Sequence, residues 1–159
     1  MYVQTKEMIQ LENREEDQDC MLGGCLFFSC TKLARLLGKI ADEAFQVLGF
    51  SPSHALILYV VNQRNGIYQK EIGELLHLTP STITRFIEKL EAKKLVYRKN
   101  DGKNVYIYPT ESGLLMQPEI IKAWNNLHSS YADILTPEEC SQFISISNKL
   151  MEKLENRTA

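Results

Sequence analysis

The chain has 159 residues, of which 44% are hydrophobic and 24% charged, with a formal net charge of -2. That is enough to bury a core in one domain or two small joined ones, and no apolar run reaches the length of a membrane span. The net acidity, taken alone, argues against a nucleic-acid partner.

Residues 1–22 read as a polar acidic tail. The stretch MYVQTKEMIQLENREEDQD has too many acids and no apolar centre for a signal peptide, so a cytoplasmic location is expected. Leu26, Leu33, Leu36, Leu37, Ile40, Ala44, Val47 and Leu48 then recur at helical spacing, predicting a helix over about 23–48 that Gly49 closes. It has more apolar residues than one face needs, which predicts packing on both its own domain and a partner. Ser51-Pro52 restarts the chain with a cap and a proline at the first helical position, and a core helix over 52–63 follows. Asn65-Gly66 stops it, and Ile67-Tyr68 reads as a minimal strand.

A short helix, Gln69–Leu76, comes next, with His77-Leu78 as a turn. Thr79-Pro80 opens a second helix, whose Ile83, Phe86, Ile87 and Leu90 form an apolar stripe. Leu95–Lys99 and Val105–Tyr108 read as strands around a reversal of Asn100, Asp101, Gly102, Lys103 and Asn104. After Pro109 the pattern is helical again, bent near Pro118. Thr136 and Glu139 have capping-box spacing before a last helix over about 137–155. The first and last helices together offer more apolar surface than a small monomer hides, so a homodimer is expected.

Helix, turn, capped helix and hairpin in that order make a winged helix-turn-helix. The fold class expected is mainly α, with residues 51–110 as the DNA-binding unit and residues 23–50 and 111–155 as a helical dimerisation region. The charge distribution agrees. Arg85, Lys89, Lys93, Lys94, Arg98, Lys99 and Lys103 face only Glu88, Glu91 and Asp101 within 85–103, a local +4. The second helix of such a unit enters the major groove, so Ser81, Thr82, Thr84 and Arg85 are candidates for base edges and Lys89 for phosphate. Gln69 and Lys70 open the preceding helix and are candidates for the backbone of double-stranded DNA. Arg98, Lys99 and Lys103 are the wing candidates. The same residues also have a plainer reading: Thr79–Thr82 as a helix start and Arg85 as a solvated side chain.

The segments GFSPSHALILYVV and QKEIGELLHLTPSTITRFIEKLEAKKLVYR, with the hairpin leading to PTESG, resemble the MarR family of bacterial transcriptional regulators over about residues 23–155. The family's Thr-x-x-Gly after the wing is Thr110-Glu111-Ser112-Gly113, and its usual glycine before the first wing strand is Lys94. The resemblance implies a symmetric dimer joined by the first and last two helices. It also implies binding to a pseudopalindromic operator, usually as a repressor relieved by a ligand or oxidant. The family's wing pair, aspartate-x-arginine, stands here as Asp101-Gly102-Lys103.

The input signal is less legible. Cys20, Cys25 and Cys30 are five residues apart, about 140° on a helix, so they share no helical face. Cys25 lies near a helix start, where the amide field lowers a thiol pKa. A peroxide-sensing branch of the family resembles that placement, although it keeps a tyrosine four residues on where this chain has Ser29. Two readings stay open: Cys25 as a redox sensor, and Cys25 and Cys30 as small core residues. Likewise Phe27, Phe28, Phe50, Tyr59 and Trp124 either line a pocket for a small hydrophobic or aromatic effector or form solid core. Cys20, His54, His77 and His128 are too scattered for a metal site, and no cofactor is implied. An enzyme is not expected: the sequence has no paired carboxylates, nucleophile–base set or phosphate loop. The remaining rival is a winged helix that contacts protein and not DNA.

Overall fold

The computed structural model describes residues 24–158. The acidic tail expected over 1–22, and Cys20 within it, lie outside the described residues. The described residues divide into two compact units, with the boundary after Ala41, inside the first helix.

That helix, α1, runs Leu26–Phe45 and starts later than the expected residue 23. The Cys25 carbonyl accepts the Ser29 amide at 3.0 Å, so Cys25 stands at the helix entrance and Gly24 lies outside the helix. A 3-10 turn, Gln46–Leu48, continues it, and Gly49 ends it at φ 69°. Helix α2, Pro52–Gln63, begins at the expected proline. Ser51 is its N-cap by position, but its hydroxyl does not cap an amide; it pairs with His54 Nδ1 at 2.6 Å.

Strand β1, Ile67–Tyr68, leads into α3, Gln69–Leu76, and α4, Pro80–Ala92, follows. Both helices end in a Schellman turn. Leu78 N donates to Gly73 O at 2.9 Å, and Leu95 N donates to Leu90 O at 3.0 Å. Each turn needs a left-handed residue. Here those are His77 at φ 50° and Lys94 at φ 58°, neither of them the glycine that suits such a position.

The wing consists of β2, Val96–Asp101, and β3, Asn104–Pro109, in a three-stranded antiparallel sheet of order β1-β3-β2. Both wing strands are longer than expected. Asp101 pairs with Asn104, so the five-residue reversal shrinks to a two-residue turn, Gly102-Lys103, with Gly102 at φ 57°. A glycine leading a two-residue loop lets the strands pair to the tip.

After the wing, Thr110 caps α5, Glu111–Leu115, through Gly113 N at 3.0 Å. The Thr110 hydroxyl also donates to Lys94 O at 2.7 Å, and a Cβ on Gly113 would lie 2.0 Å from Leu95 O. The Thr-x-x-Gly pattern therefore docks the exit of the wing against its entry. Met116 breaks the helix, and α6, Gln117–Ala132, restarts with Pro118 in its first turn. Asn62 of α2 ties the junction, donating to Gly113 O at 2.9 Å and to Gln117 Oε1 at 2.8 Å. The last helix, α7, is Pro137–Thr158. Its capping box forms as spaced: Thr136 N donates to Glu139 Oε2 at 2.9 Å, and Glu139 N to Thr136 Oγ1 at 3.2 Å.

The core lies in the second unit. Ile57, Leu58, Val61, Ile72, Ile87, Leu90 and Ile107 have no accessible surface, and Phe45 and Ile120 extend the cluster toward α6. Phe45 meets Trp124 edge-on at 5.8 Å. On α1 itself, Leu26, Phe27 and Leu36 are exposed.

Candidate nucleic-acid interface

The N-terminus of α4 is held by hydroxyls. Thr79 Oγ1 accepts Thr82 N at 3.4 Å and lies 3.2 Å from Ser81 Oγ and 2.9 Å from Thr82 Oγ1. Thr84 Oγ1 donates to Pro80 O at 2.9 Å and accepts Gln69 Nε2 at 3.1 Å. Gln69 and Thr84, expected as separate DNA contacts, thus form one link that fixes α3 against α4. Ser81 and Arg85 are exposed on the same helix, and Arg85 makes no hydrogen bond or ion pair among the described residues. Lys89 is exposed one turn further on.

The three wing cations have different surroundings, because successive strand residues point to opposite faces. Arg98 turns toward α4: its Nε lies 3.1 Å from Glu91 Oε2, and its guanidinium donates to Thr84 O at 3.4 Å. The Nε contact is an ion pair without the alignment of a hydrogen bond. Arg98 N also donates to Glu91 Oε1 at 3.2 Å. Arg98 therefore clamps the wing to α4, half-buried. Lys99 sits on the opposite face, 4.9 Å from the Tyr108 ring centre and 5.7 Å from that of Tyr97, two rings that are themselves stacked. Lys103 is exposed at the tip and pairs with no acid, Asp101 included, among the described residues.

A shallow cleft of about 290 Å³ brings Gln69, Lys70, Pro80 and Lys103 together between α3, α4 and the wing. Lys70 is 3.6 Å from Glu74. An exposed pair of that kind contributes roughly 0.3–0.5 kcal/mol and leaves the lysine available to phosphate.

In the sequence, His54 has no part in the interface and Glu91 only a place in its charge balance. Glu91 carried a faint signal, an acid seven residues before an arginine, but pairing across a helix–strand turn shows only in three dimensions. His54 is buried on α2, 4.5 Å ring to ring from Phe86 of α4. Burial first, then the charges of Lys89 and Lys93, hold its pKa below the ordinary 6.5.

Among the effector candidates, Tyr59 and Trp124 do come together. With Leu56, Ile120, Ile121 and Asn125 they line a cavity of about 470 Å³ between α2 and α6. Phe50 lines another cavity, and Phe27 and Phe28 meet each other edge-on at 5.4 Å on α1. Cys25 is half-buried immediately before α1; Cys30 is exposed and Cys140 half-buried. No group of three potential metal ligands occurs among the described residues. No single helix among them is long and apolar enough to cross a membrane.

Residues 50–104, which include all of α2 to the wing tip, match the sequence profile of the MarR family. Over that stretch the chain is similar to the MarR family. That likeness supports a DNA-binding regulator and not an enzyme. The chain is 26% identical over 129 residues to the HTH-type transcriptional repressor MdtR of Bacillus subtilis, covering 77% of this chain and 83% of that protein. The crystal structure of the transcriptional regulator SlyA is 26% identical, with a TM-score of 0.72 over 83% of this chain and 95% of that one. The S. aureus MepR–DNA complex, at 21% identity, shares the fold with a TM-score of 0.73 over 82% of this chain and 98% of that one.

Proposed function

We propose that this protein is a homodimeric transcriptional repressor that binds a pseudopalindromic operator with one recognition helix per protomer and is released by a small ligand or an oxidant. The observation that carries this reading is the contrast along α4 and the wing. Arg98 and Glu91 pair with each other, and Gln69 locks onto Thr84, whereas Ser81, Arg85, Lys89 and Lys103 point to solvent without an acidic partner. In this reading, Gln69, Thr82 and Thr84 set the helix angle, Arg85 and Ser81 meet base edges, and Lys70, Lys89 and Lys103 meet phosphate. Arg98 positions the wing, and Lys99 meets phosphate only by leaving its tyrosines. The exposed apolar faces of α1 and α7 are the surfaces a second copy would cover.

The test is a salt-dependent mobility shift on the DNA upstream of the protein's own gene. Arg85→Ala should lose about 1–3 kcal/mol of operator affinity while sedimenting as the wild type does. Undiminished binding in that variant would remove the groove assignment.

For release, the cavity between α2 and α6 supports an apolar or aromatic ligand, and Trp124→Ala should blunt its effect on DNA affinity. The placement of Cys25 at the start of α1 supports oxidation as a second reading. Peroxide should then weaken DNA binding in the wild type and leave Cys25→Ser unaffected; equal responses exclude it.

A further inference from the structure

The cavity that Phe50 lines, of about 420 Å³, opens where the N-terminus of α2 meets the C-terminal half of α4. Its walls include Phe50, Ser51, His54, Lys89, Leu90 and Lys93. Three independent features converge there. Helix α2 receives no side-chain cap, so its first amides lack a protein acceptor and its positive dipole end is uncompensated. His54 is 5% exposed, and its buried Nε2 has no hydrogen-bond partner while Nδ1 is fixed by Ser51. Lys89 and Lys93, one helical turn apart, are both exposed and form no ion pair among the described residues. Among the described residues no carboxylate lines the cavity.

We propose that this cavity is a binding site for a small phosphomonoester, held by Lys89, Lys93, His54 and the free amides of α2. Two lysines match a dianion better than a single carboxylate. Helix N-termini bind phosphate through the same amides and dipole. The cavity is larger than a bare phosphate needs, and Phe50 and Leu90 give the organic part an apolar wall. The two lysines and burial oppose a proton on His54; a bound dianion reverses the lysines' effect, so the imidazole can then donate to it. The site stands without the DNA-binding reading. Its regulatory consequence rests on that reading: Lys89 cannot serve ligand and operator phosphate together, so the ligand lowers DNA affinity.

Calorimetric titration of the full chain, without DNA, uses phenyl phosphate and inorganic phosphate as probes, with sodium chloride at matched ionic strength as the blank. Phenyl phosphate should bind saturably and more tightly than inorganic phosphate. Lys93→Ala, at an exposed position, and His54→Gln, checked for a cooperative melt, should each weaken it about tenfold. Absence of saturable binding, or affinity unchanged in Lys93→Ala, overturns the site. Equal affinity for the two probes overturns the organic ligand. If Lys93→Ala instead weakens binding to a nonspecific duplex and phenyl phosphate does not bind, the lysine is a DNA contact and the proposal falls. The operator shift with Arg85→Ala, measured separately, decides the DNA reading whatever the calorimetry returns.

Discussion

In the winged unit, α2, α3, α4 and β3 remove Ile57, Leu58, Ile72, Ile87 and Ile107 wholly from water, whereas α7 buries none of its residues and leaves Phe143, Ile144 and Ile146 exposed. The polar groups divide the same way. Around the wing, capping hydroxyls and the Arg98–Glu91 pair tie elements together, while α7 caps its own N-terminus through Thr136 and Glu139 and meets the winged unit at an exposed pair, Glu155 Oε1 3.2 Å from His77 Nδ1. Isolated helices are marginal in water, and most helical stability in proteins comes from packing an apolar face. The winged unit therefore supplies its own reason to fold, and α7 awaits one from a second protomer.

The strongest way to break the self-contained half is Gly113→Ala. Its Cβ would meet Leu95 O at 2.0 Å, a backbone atom that cannot move without opening the wing. A loss of about 3 kcal/mol is expected by denaturant unfolding, at the upper end of overpacking effects. The other half breaks at Ile144. Ile144→Glu should weaken the dimer about 100-fold in sedimentation, an interface anchor's worth, while the winged unit keeps its cooperative unfolding. If the variant remains as dimeric as the wild type, the exposed face of α7 is not the interface.

A smaller change sharpens the comparison within the winged unit. Lys94→Gly removes a side chain from a left-handed position and should stabilise by roughly 0.5–1 kcal/mol, the strain relieved less the added chain entropy. His54 gives the smallest effect. Its pKa is lowered on folding, so the unfolded chain takes up protons first as pH falls. Stability should be full above pH 6.5, then decline as the pH drops from 6.5 toward the depressed folded value. His54→Gln should flatten that part of the Tm profile.

The local features were legible because they are made by neighbours in sequence. Pro52, Thr79-Pro80 and the Thr136–Glu139 box set helix starts through orphan amides within one turn of the chain. The stripe of Ile83, Ile87 and Leu90 showed which side of α4 turns inward. Misjudged features depended on distant partners. The wing strands ran on to Asp101 and Asn104 because a cross-strand ladder, not local propensity, decides where a hairpin ends. Ser51 is the exception, misjudged for a local reason: His54, three residues on, offered its hydroxyl a competing acceptor or donor.

By itself the sequence determined the order of elements and the winged unit, because periodicity, caps and turn residues encode these locally. Only the tertiary structure decided which cations remain open to DNA. Arg98 and Lys103 are equally basic in sequence, but the strand pleat turns Arg98 onto Glu91, and the two-residue turn carries Lys103 clear of any acid. A charge is a property of a residue, whereas its availability depends on what folding brings within a few ångströms of it.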